Sequence, residues 1–433
     1  MRIASLAAVL ALLVACDNKT SPPTPTSSGT TGTSTGTGTA PSSLPKGQTT
    51  YHFGVKPTHT KVTFQSKNAI SNILGESNNV VGSATIDFEG GSGTCELSVP
   101  TLSLDSGYTD RDRAMMSPTW LDAAKHPNIV FKGEKATLVE KPDMWKIDGK
   151  FTLRGVTNDM SVMARVRPKS ALLGQKLGFG DGPCVRVETE FKVKLADYKI
   201  EIPKTAIATV EPEISLVIDL WGSTVKPEAV VAKGPPDEMV KGVPKPKVSE
   251  DGIEGTKYIL GKKPNFTTLT AESTTDLEKI TAKTSVLAGF IGVDLAKGTG
   301  KVRLAVPTAS LKTANTLRDE HLLSAGWLDA AQFKTIEFES TKATKKSGDL
   351  WTVEGDFTMH GVKKPITVEV TLREIPLELV KKANWGDTPG LGFACSFKLK
   401  LSDFGVKIPE QAIAKVSDEL TVAIDLVALQ KGE

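Results

Sequence analysis

Short segments in which hydrophobic and polar residues alternate begin near residue 60 and continue almost to the end of the chain. Residues 191–195 (Phe-Lys-Val-Lys-Leu) and 214–220 (Ile-Ser-Leu-Val-Ile-Asp-Leu) show the pattern clearly. Alternation with period 2 is typical of antiparallel strands that bury one face and expose the other. In the first half of the chain it predicts eight strands, near residues 60–66, 80–88, 94–104, 128–138, 144–153, 159–167, 185–195 and 213–221.

The whole pattern occurs twice. Residues 111–124 and 318–331 both begin with Arg-Asp and end with Trp-Leu-Asp-Ala-Ala, at an offset of 207 residues without a gap. Residues 397–401 likewise repeat the alternation of residues 191–195. Self-similarity at a fixed offset indicates one structural unit built twice. We therefore predict two domains, residues 51–222 and 257–428.

Eight antiparallel strands in about 170 residues predict an up-and-down barrel, because closure removes the exposed sheet edges. The repeated stretch lies between the third and fourth strands. Ser117 is predicted to cap a helix there, with Pro118 at its first position. The expected fold class is all-β: two tandem eight-stranded antiparallel barrels, each with a short helical insertion. An eight-stranded barrel is either filled by its own side chains or holds one small ligand.

The first sixteen residues determine the predicted compartment. Arg2 is followed by an apolar run that is too short to span a bilayer but suits a signal peptide. Residues 13–16 (Leu-Val-Ala-Cys) resemble a bacterial lipobox, so residues 1–16 are predicted to be a lipoprotein signal peptide with Cys16 as the lipidated residue. This predicts a protein of the bacterial cell envelope, lipid-anchored and facing the periplasm, with the choice of inner or outer membrane left open. An ordinary secretory signal with an accidental cysteine is the alternative.

Two segments have the composition of tethers. Residues 17–50 consist almost entirely of Ser, Thr, Gly and Pro, which predicts a disordered tether. Residues 223–256 are rich in Pro and Lys, which predicts an extended linker between the two domains.

Three cysteines remain after Cys16. Cys95, Cys184 and Cys395 cannot all pair within one chain, and the preferred interpretation is three buried free thiols. A Cys95–Cys184 disulfide is the alternative, since the predicted compartment allows it.

Composition and motifs argue against several functions. The net charge of +3 comes from lysines spread along the chain, so nucleic-acid binding is not expected. The chain contains no nucleophile elbow, no Walker loop and no zincin helix. The five histidines do not stand at metal-ligand spacing. We therefore expect no enzyme, no cofactor and no metal, and the pattern predicts no particular oligomeric state.

The inward positions of the predicted strands and helices are aromatic and aliphatic. Such residues either fill a core or contact an apolar ligand, and alternation alone leaves both possibilities open. The candidates for cavity lining are Phe64, Trp120, Phe131, Phe151, Phe191 and Leu216 in the first copy, and Leu269, Trp327, Phe338, Phe357, Phe397 and Leu399 in the second.

The order and spacing of the motifs resemble the YceI-like family of bacterial polyisoprenoid-binding proteins. The matching motifs are Tyr51, His59-Thr60, Arg111-Asp112, residues 120–122, 125–127 and 151–157 in the first copy, and Tyr258, Arg318-Asp319, His321-Leu322, residues 327–329, 357–362 and 402–405 in the second. The resemblance implies lipocalin-like barrels that bind a long-chain isoprenoid or similar lipid without covalent chemistry. A structural or interaction module, with filled barrels that dock an envelope partner, is the alternative function.

Each copy departs from the family pattern at a few polar positions. The first copy has Ala114 and Arg154 where the second has His321 and His360. The second has Phe266 where the first has His59, and both have Leu, at positions 195 and 401, where the family usually has Arg.

The best candidates for polar groups at a barrel mouth are Arg111, Asp112, Arg318, Asp319 and His321. The two Arg-Asp pairs have a competing and preferred interpretation, in which they fix the helical segment to the barrel.

Overall fold

The alternating segments form strands in the computed structural model, which describes residues 46–56, 59–68, 72–204, 206–207, 209–227 and 243–432. The predicted signal peptide, Cys16, most of the predicted tether and the middle of the predicted linker lie outside these residues. Among the residues described, no helix is both long enough and apolar enough to cross a membrane.

Within the described residues, the first copy contains ten strands and two α-helices. Its strands are β1 (Gln48–Phe53), β2 (Thr60–Lys67), β3 (Asn72–Ser77), β4 (Val81–Asp87), β5 (Ser92–Pro100), β6 (Asn128–Glu140), β7 (Met144–Leu153), β8 (Val156–Lys169), β9 (Cys184–Lys194) and β10 (Glu213–Ser223). Helix α1 (Thr109–Met116) lies between β5 and β6, and helix α2 (Ala171–Leu177) lies between β8 and β9.

The second copy repeats this order. Its strands are β11 (Thr256–Leu260), β12 (Thr267–Thr274), β13 (Lys279–Thr284), β14 (Ala288–Asp294), β15 (Thr299–Pro307), β16 (Thr335–Ser347), β17 (Leu350–Met359), β18 (Val362–Ile375), β19 (Gly390–Lys400) and β20 (Glu419–Gln430). Helix α3 (Thr316–Leu323) corresponds to α1, and helix α4 (Leu377–Lys382) corresponds to α2.

Each copy closes into an antiparallel barrel. β1 and β2 both pair with β10, while β4 pairs with β1 and β3 pairs with β2. β1 and β2 therefore act as one interrupted first strand, and β3 and β4 as one interrupted second strand. Together with β5 to β10 they make eight strands around the barrel, and β11 to β20 do the same. The predicted pair of tandem eight-stranded barrels is confirmed.

The strand boundaries differ from the prediction where the first two strands are interrupted. All eight predicted strands are present, but β1 and β3 were not expected. β1 begins at Gln48, within the last residues of the predicted tether, and β10 continues to Ser223. The strand pairing is interrupted around Gly54 and again at residues 78–80. The alternating segment that the sequence shows for each of these two strands is therefore shorter than the strand in the barrel.

The helix of the first insertion lies earlier than Ser117 and Pro118 predicted. α1 ends at Met116, and Ser117 is its C-terminal cap: its backbone N–H and its hydroxyl both donate to the carbonyl of Ala114. Trp120 follows the helix, in a turn. In the second copy Asn315 caps α3 by accepting a hydrogen bond from the Arg318 N–H, whereas Tyr108 provides no side-chain cap for α1. The first copy therefore lacks the start signal that would have placed its helix correctly.

The second helix of each copy was not predicted and covers the break between the first two strand segments. α2 is capped by Ser170 and packs its Leu177 in a small cluster with Phe179, Cys184 and Trp221. In the second barrel, Val380 of α4 packs in a corresponding cluster with Ile375, Ala383, Trp385, Val427 and Leu429. These clusters lie outside the barrel interiors, which have hydrophobic cores of their own.

The two barrels contact each other through polar groups. The Asn78 amide donates to the carbonyls of Thr313 (3.4 Å) and Ala314 (3.3 Å). From the second barrel, the Thr268 hydroxyl donates to the carbonyl of Asn72 in the first barrel (2.8 Å). The hairpin segment β3 faces β12 across this interface.

Two apolar cavities as the candidate ligand-binding site

The first barrel encloses a cavity of about 320 Å³. Strand alternation creates it, because every second side chain of β2, β6, β7, β9 and β10 points inward while neighbours such as Lys192 and Lys194 are exposed. All six residues predicted to line this cavity do so: Phe64, Trp120, Phe131, Phe151, Phe191 and Leu216.

The second barrel encloses a larger cavity of about 430 Å³. Leu269, Trp327, Phe338, Phe357, Phe397 and Leu399 line it, as predicted from the alternation. Both volumes fall within the range of about 300–1,000 Å³ that is usual for small-molecule sites.

The difference in size has a local cause. Phe64 of β2 lies opposite Gly75 of β3, and a Cβ on Gly75 would stand 2.1 Å from the Phe64 ring. The corresponding pair in the second barrel is Ala271 opposite Ala282. The first barrel thus fills part of its interior with one large ring over a glycine, whereas the second leaves that space open between two alanines.

The helical insertion forms one wall at the mouth of each cavity. Trp120 and Trp327, in the turns that follow α1 and α3, both line the cavities. In the second barrel the exposed lining residues Leu317 and His321 also come from α3, so the cavity opens at the end of the barrel where this helix lies.

The Arg-Asp pairs fasten these helices to the preceding loop. Arg111 donates through Nε to the Ser106 hydroxyl (2.8 Å) and through Nη2 to the Ser106 carbonyl (2.7 Å). Asp112 accepts from the Ser106 N–H (2.8 Å). Burial raises the pKa of Asp112 to about 6, with a contribution from the charge of Asp105. Arg111 also reaches across the interface to the carbonyl of Asn265 (2.7 Å).

The second copy repeats this arrangement with Thr313 in place of Ser106. Asp319 accepts from the Thr313 N–H and hydroxyl, both at 2.6 Å, and Arg318 Nε donates to the same hydroxyl at 3.0 Å. Arg111 and Arg318 line the cavities, whereas Asp112 and Asp319 do not. The two aspartates, predicted as mouth candidates, therefore hold the loop instead.

The mouth of the second cavity carries charges that the sequence patterns did not single out. Glu278 and Lys415 both line it, together with Arg318 and His321. Arg318 Nη1 donates to Glu278 Oε1 at 2.7 Å, which forms an ion pair with side chains only 18% and 7% exposed. The Lys415 ammonium group makes no hydrogen bond and no ion pair within 4 Å among the residues that the structure describes. Burial raises the pKa of Glu278, and the charges of Arg318 and Lys415 act against that rise.

The mouth of the first cavity has one charged lining residue, Arg111, among the residues described. Ala114 stands at the position of His321, and Thr209 at the position of Lys415. Thr209 is buried and donates its hydroxyl to the carbonyl of Ala206. Ser71, the counterpart of Glu278, lies outside the described residues. A comparison of the two copies at position 209/415 would have revealed this difference from the sequence.

One free thiol lies in each cavity. Cys95 lines the first and Cys395 the second, while Cys184 lies outside both, in the cluster against α2. All three are free, as the preferred interpretation predicted, and there is no Cys95–Cys184 disulfide; Cys184 is fully buried, whereas Cys95 and Cys395 are partly buried. Burial raises the pKa of Cys395 to about 12 and that of Cys184 to about 11, and it also raises the pKa of Cys95.

The other positions at which the copies differ are structural contacts. His59 packs against Phe179 at 5.2 Å, and its counterpart Phe266 packs against Trp385 at 4.5 Å between ring centroids. Arg154 donates to the carbonyls of Pro118 and Lys199, while the His360 ring lies 3.2 Å from the Phe404 carbonyl. Within the described part of the chain, no group of three or more His, Cys, Asp or Glu side chains is placed to hold a metal ion.

The fold and the cavities define the class of protein: two fused antiparallel β-barrels, each with an apolar interior that opens beside a short helix. The model of the YceI-like domain matches the chain twice, over residues 53–221 and 263–428, which together exceed half of its length. The chain belongs to the YceI-like family.

Several relatives are similar over part of the chain. Protein YceI of Escherichia coli is 34% identical over 135 residues, which cover 30% of this chain and 63% of that protein. A UPF0312 protein of Vibrio parahaemolyticus is 36% identical over 110 residues, which cover 25% of this chain and 54% of that protein. The chain thus spans a little over half of the length of these relatives.

Two solved structures are similar at low sequence identity. BcnA of Burkholderia cenocepacia is 20% identical, with a TM-score of 0.33, and the match covers 37% of this chain and 95% of that one. A polyisoprenoid binding domain from Saccharophagus degradans is 13% identical, with a TM-score of 0.30, and the match covers 40% of this chain and 97% of that one.

Proposed function

We propose that each barrel binds the hydrocarbon chain of a long lipid, an isoprenoid or a similar molecule, and carries it without covalent chemistry. The observation that carries this proposal is the pair of cavities lined almost entirely by aromatic and aliphatic side chains. An apolar pocket of this kind stays dry and favours an apolar occupant over water. Membership of the YceI-like family supports the same ligand class.

The free energy of burying a hydrocarbon chain is sufficient for such a role. Each enclosed CH₂ group contributes about 0.8 kcal/mol, so twenty carbons contribute about 16 kcal/mol. Association costs of about 8 kcal/mol then leave about 8 kcal/mol, which corresponds to a micromolar dissociation constant.

The proposed place of action is the bacterial cell envelope. The apolar leader and the lipobox-like residues 13–16 support a protein anchored through a lipid on Cys16. Two or more acyl chains give stable attachment to a membrane. The alternative role, a docking module with filled barrels, is less well supported because both interiors contain open space.

The cavity thiols provide a direct test of chain binding. We would alkylate the full-length protein with N-ethylmaleimide, with and without farnesol, and follow each cysteine by peptide mass spectrometry. Farnesol is expected to slow the alkylation of Cys95 and Cys395 but not that of Cys184, which lies outside the cavities. Unchanged rates at Cys95 and Cys395 under saturating farnesol would show that the barrels do not take up the chain.

Adjacent residues on β10 supply a matched pair of variants. Leu216 lines the first cavity, whereas its neighbour Val217 is 45% exposed on the outside of the same strand. Leu216→Arg is expected to abolish farnesol protection of Cys95 because it places a charge among apolar groups. Val217→Arg adds the same charge outside and should preserve that protection. Protection of Cys395 should survive in both variants, which reports that the second barrel remains folded.

A further inference from the structure

The two cavities differ most at their mouths. In the second, Arg318 and Glu278 lie 2.7 Å apart, so these two charges compensate each other. Lys415 is half-buried beside them and lines the cavity, yet its ammonium group has no direct hydrogen-bond or ion-pair partner among the residues described. The single carboxylate of Glu278 faces two cations, Arg318 and Lys415, and its direct ion pair is with Arg318. An anionic group placed beside Lys415 would form a charge-assisted hydrogen bond with it.

The surroundings of Lys415 favour an anion attached to a hydrocarbon chain. The cavity below the mouth is lined by apolar side chains such as Leu420, Val422 and Ile424. Polar residues, among them Arg318, Glu278 and His321, are also part of the lining. One end of the site is therefore suited to a chain and the other end to a charged group.

The first cavity lacks this arrangement. Thr209 replaces Lys415 and is already engaged with the Ala206 carbonyl, and Ala114 replaces His321. Arg111 remains, but its guanidinium is bonded at three nitrogens, to the Ser106 hydroxyl and carbonyl and to the Asn265 carbonyl. The first mouth therefore presents no uncommitted cation among the residues described there.

We propose that the second barrel selects lipids with an anionic head group, such as a phosphate monoester, which Lys415 binds at the mouth. The first barrel takes the hydrocarbon chain without regard to the head group. One protein then carries two lipid sites of different head-group specificity. This proposal rests on the proposed function, because it adds a head-group preference to a site that must already bind the chain.

The test compares farnesyl phosphate with farnesol, using the protection of Cys395 and Cys95 in the full-length protein. Farnesyl phosphate is expected to protect Cys395 at a concentration about tenfold lower than farnesol, or lower still, because a hydrogen bond to a charged group contributes at least that much. The two compounds should protect Cys95 at similar concentrations. Inorganic phosphate alone, titrated by calorimetry, should bind far more weakly than farnesyl phosphate.

Exchange of the two equivalent residues identifies the cause of the preference. Lys415→Thr gives the second mouth the residue of the first and should bring the two protection midpoints at Cys395 together. Thr209→Lys makes the reverse change and should create a preference for farnesyl phosphate at Cys95. Circular dichroism and farnesol protection confirm that each variant is folded and still binds the chain.

The results that would contradict the head-group proposal differ from those that would contradict chain binding. Equal midpoints for both compounds at Cys395 of the unmodified protein would overturn the head-group proposal and leave chain binding intact. A preference that persists in Lys415→Thr would also overturn it. Inorganic phosphate that binds as tightly as farnesyl phosphate would indicate a site for a free anion rather than for a lipid head group. Absence of protection by both compounds at both thiols would overturn the proposed function itself.

Discussion

Glu76 and Lys283 occupy equivalent positions in the two barrels, on β3 and β13, and face each other across the interface with 3.8 Å between Nζ and Oε1. Lys283 also donates to the carbonyl of Asp105 (2.5 Å), and Lys61 pairs with Glu76 at 2.9 Å. In a symmetric pair of identical barrels, each of these positions would face its own copy. The chain instead has opposite charges there, which makes the two barrels complementary rather than identical.

Reversal of the charge at position 283 should disrupt this interface. Lys283 is 3% exposed and lies within 4 Å of the carboxylates of both Glu76 and Asp105, so Lys283→Glu would place a third acidic group beside these two. We expect a loss of about 3–5 kcal/mol in the free energy of unfolding, as for a broken buried ion pair. Lys283→Met should cost less, because it adds no negative charge. Guanidinium unfolding followed by tryptophan fluorescence measures both.

The control for this prediction is Lys297→Glu, since Lys297 has a side chain 78% exposed on the outside of the second barrel. A surface change of this kind should alter stability by about 0.5 kcal/mol at most. If Lys283→Glu were equally mild, the interface would not depend on this charge.

His59 should make the protein less stable in acid. Burial lowers its pKa to about 4, and the charges of Lys415 and Arg318 add to the effect. The unfolded chain then binds a proton near pH 6.5 that the folded chain binds only near pH 4. The free energy of unfolding therefore decreases as the pH falls through this window, by about 3 kcal/mol in total.

His59→Phe, which introduces the residue of the second barrel at this position, should remove the His59 contribution. The free energy of unfolding should then decrease less, or increase, as the pH falls from 7 to 4, because Asp112, with its pKa raised to about 6, contributes with the opposite sign. Urea unfolding at a series of pH values between 7 and 4 provides the measurement. An unchanged slope in His59→Phe would exclude His59 as its source.

The size of the second cavity should respond to paired substitutions on β12 and β13. Ala271→Phe alone places a ring where the Cβ of Ala282 lies and should cost about 1–3 kcal/mol by overpacking. Ala271→Phe combined with Ala282→Gly recreates the Phe64–Gly75 pair and should recover much of that cost, less about 0.5–1 kcal/mol for glycine in a strand. Denaturant unfolding of both variants checks the order of stability.

The double variant should also bind shorter chains in preference to longer ones. Protection of Cys395 across a series of primary alcohols would reveal the shift, with Cys95 as the unchanged reference in the first barrel. A double variant no more stable than Ala271→Phe would contradict the volume argument.

The hydroxyl of Thr313 should hold helix α3 on its barrel. It donates to buried Asp319 and accepts from Arg318, so Thr313→Val leaves both partners short of a hydrogen bond. We expect a loss of about 1–3 kcal/mol, concentrated in α3. Hydrogen exchange of the α3 backbone amides measures this loss of stability within the helix. Thr341→Val removes an exposed hydroxyl bonded to the Glu354 carbonyl and should leave α3 protection unchanged.

Most of the barrel could be predicted from alternation, because inward and outward positions differ strongly in residues such as Phe191 and Lys192. The same rule located the predicted cavity-lining side chains in both copies. It could not distinguish a filled interior from an open one, since that depends on facing pairs such as Phe64 and Gly75. Which side chains face each other depends on the register between neighbouring strands, and alternation alone does not determine that register.

Two kinds of feature escaped prediction for physical reasons. The charged mouth joins Glu278 and Lys415, which are 137 residues apart and come together only when the barrel closes. The helix of the first copy was placed too late because Ser117-Pro118 resembles a start signal while Tyr108 gives none. Ser117 does cap a helix, but it lies at the C-terminal end of α1 and not at the N-terminus of a helix that follows it.

The Phe64–Gly75 and Ala271–Ala282 pairs affect the ratio in which the two kinds of cavity occur. Each pair changes the volume of its cavity without altering the surrounding wall, so the two interiors could diverge while the scaffold stayed the same. Because both barrels belong to one polypeptide, their unlike cavities are always present in a one-to-one ratio. A dimer of separate barrels would have to sort its subunits to keep that ratio, and dilution could change it. In this chain covalent linkage fixes it.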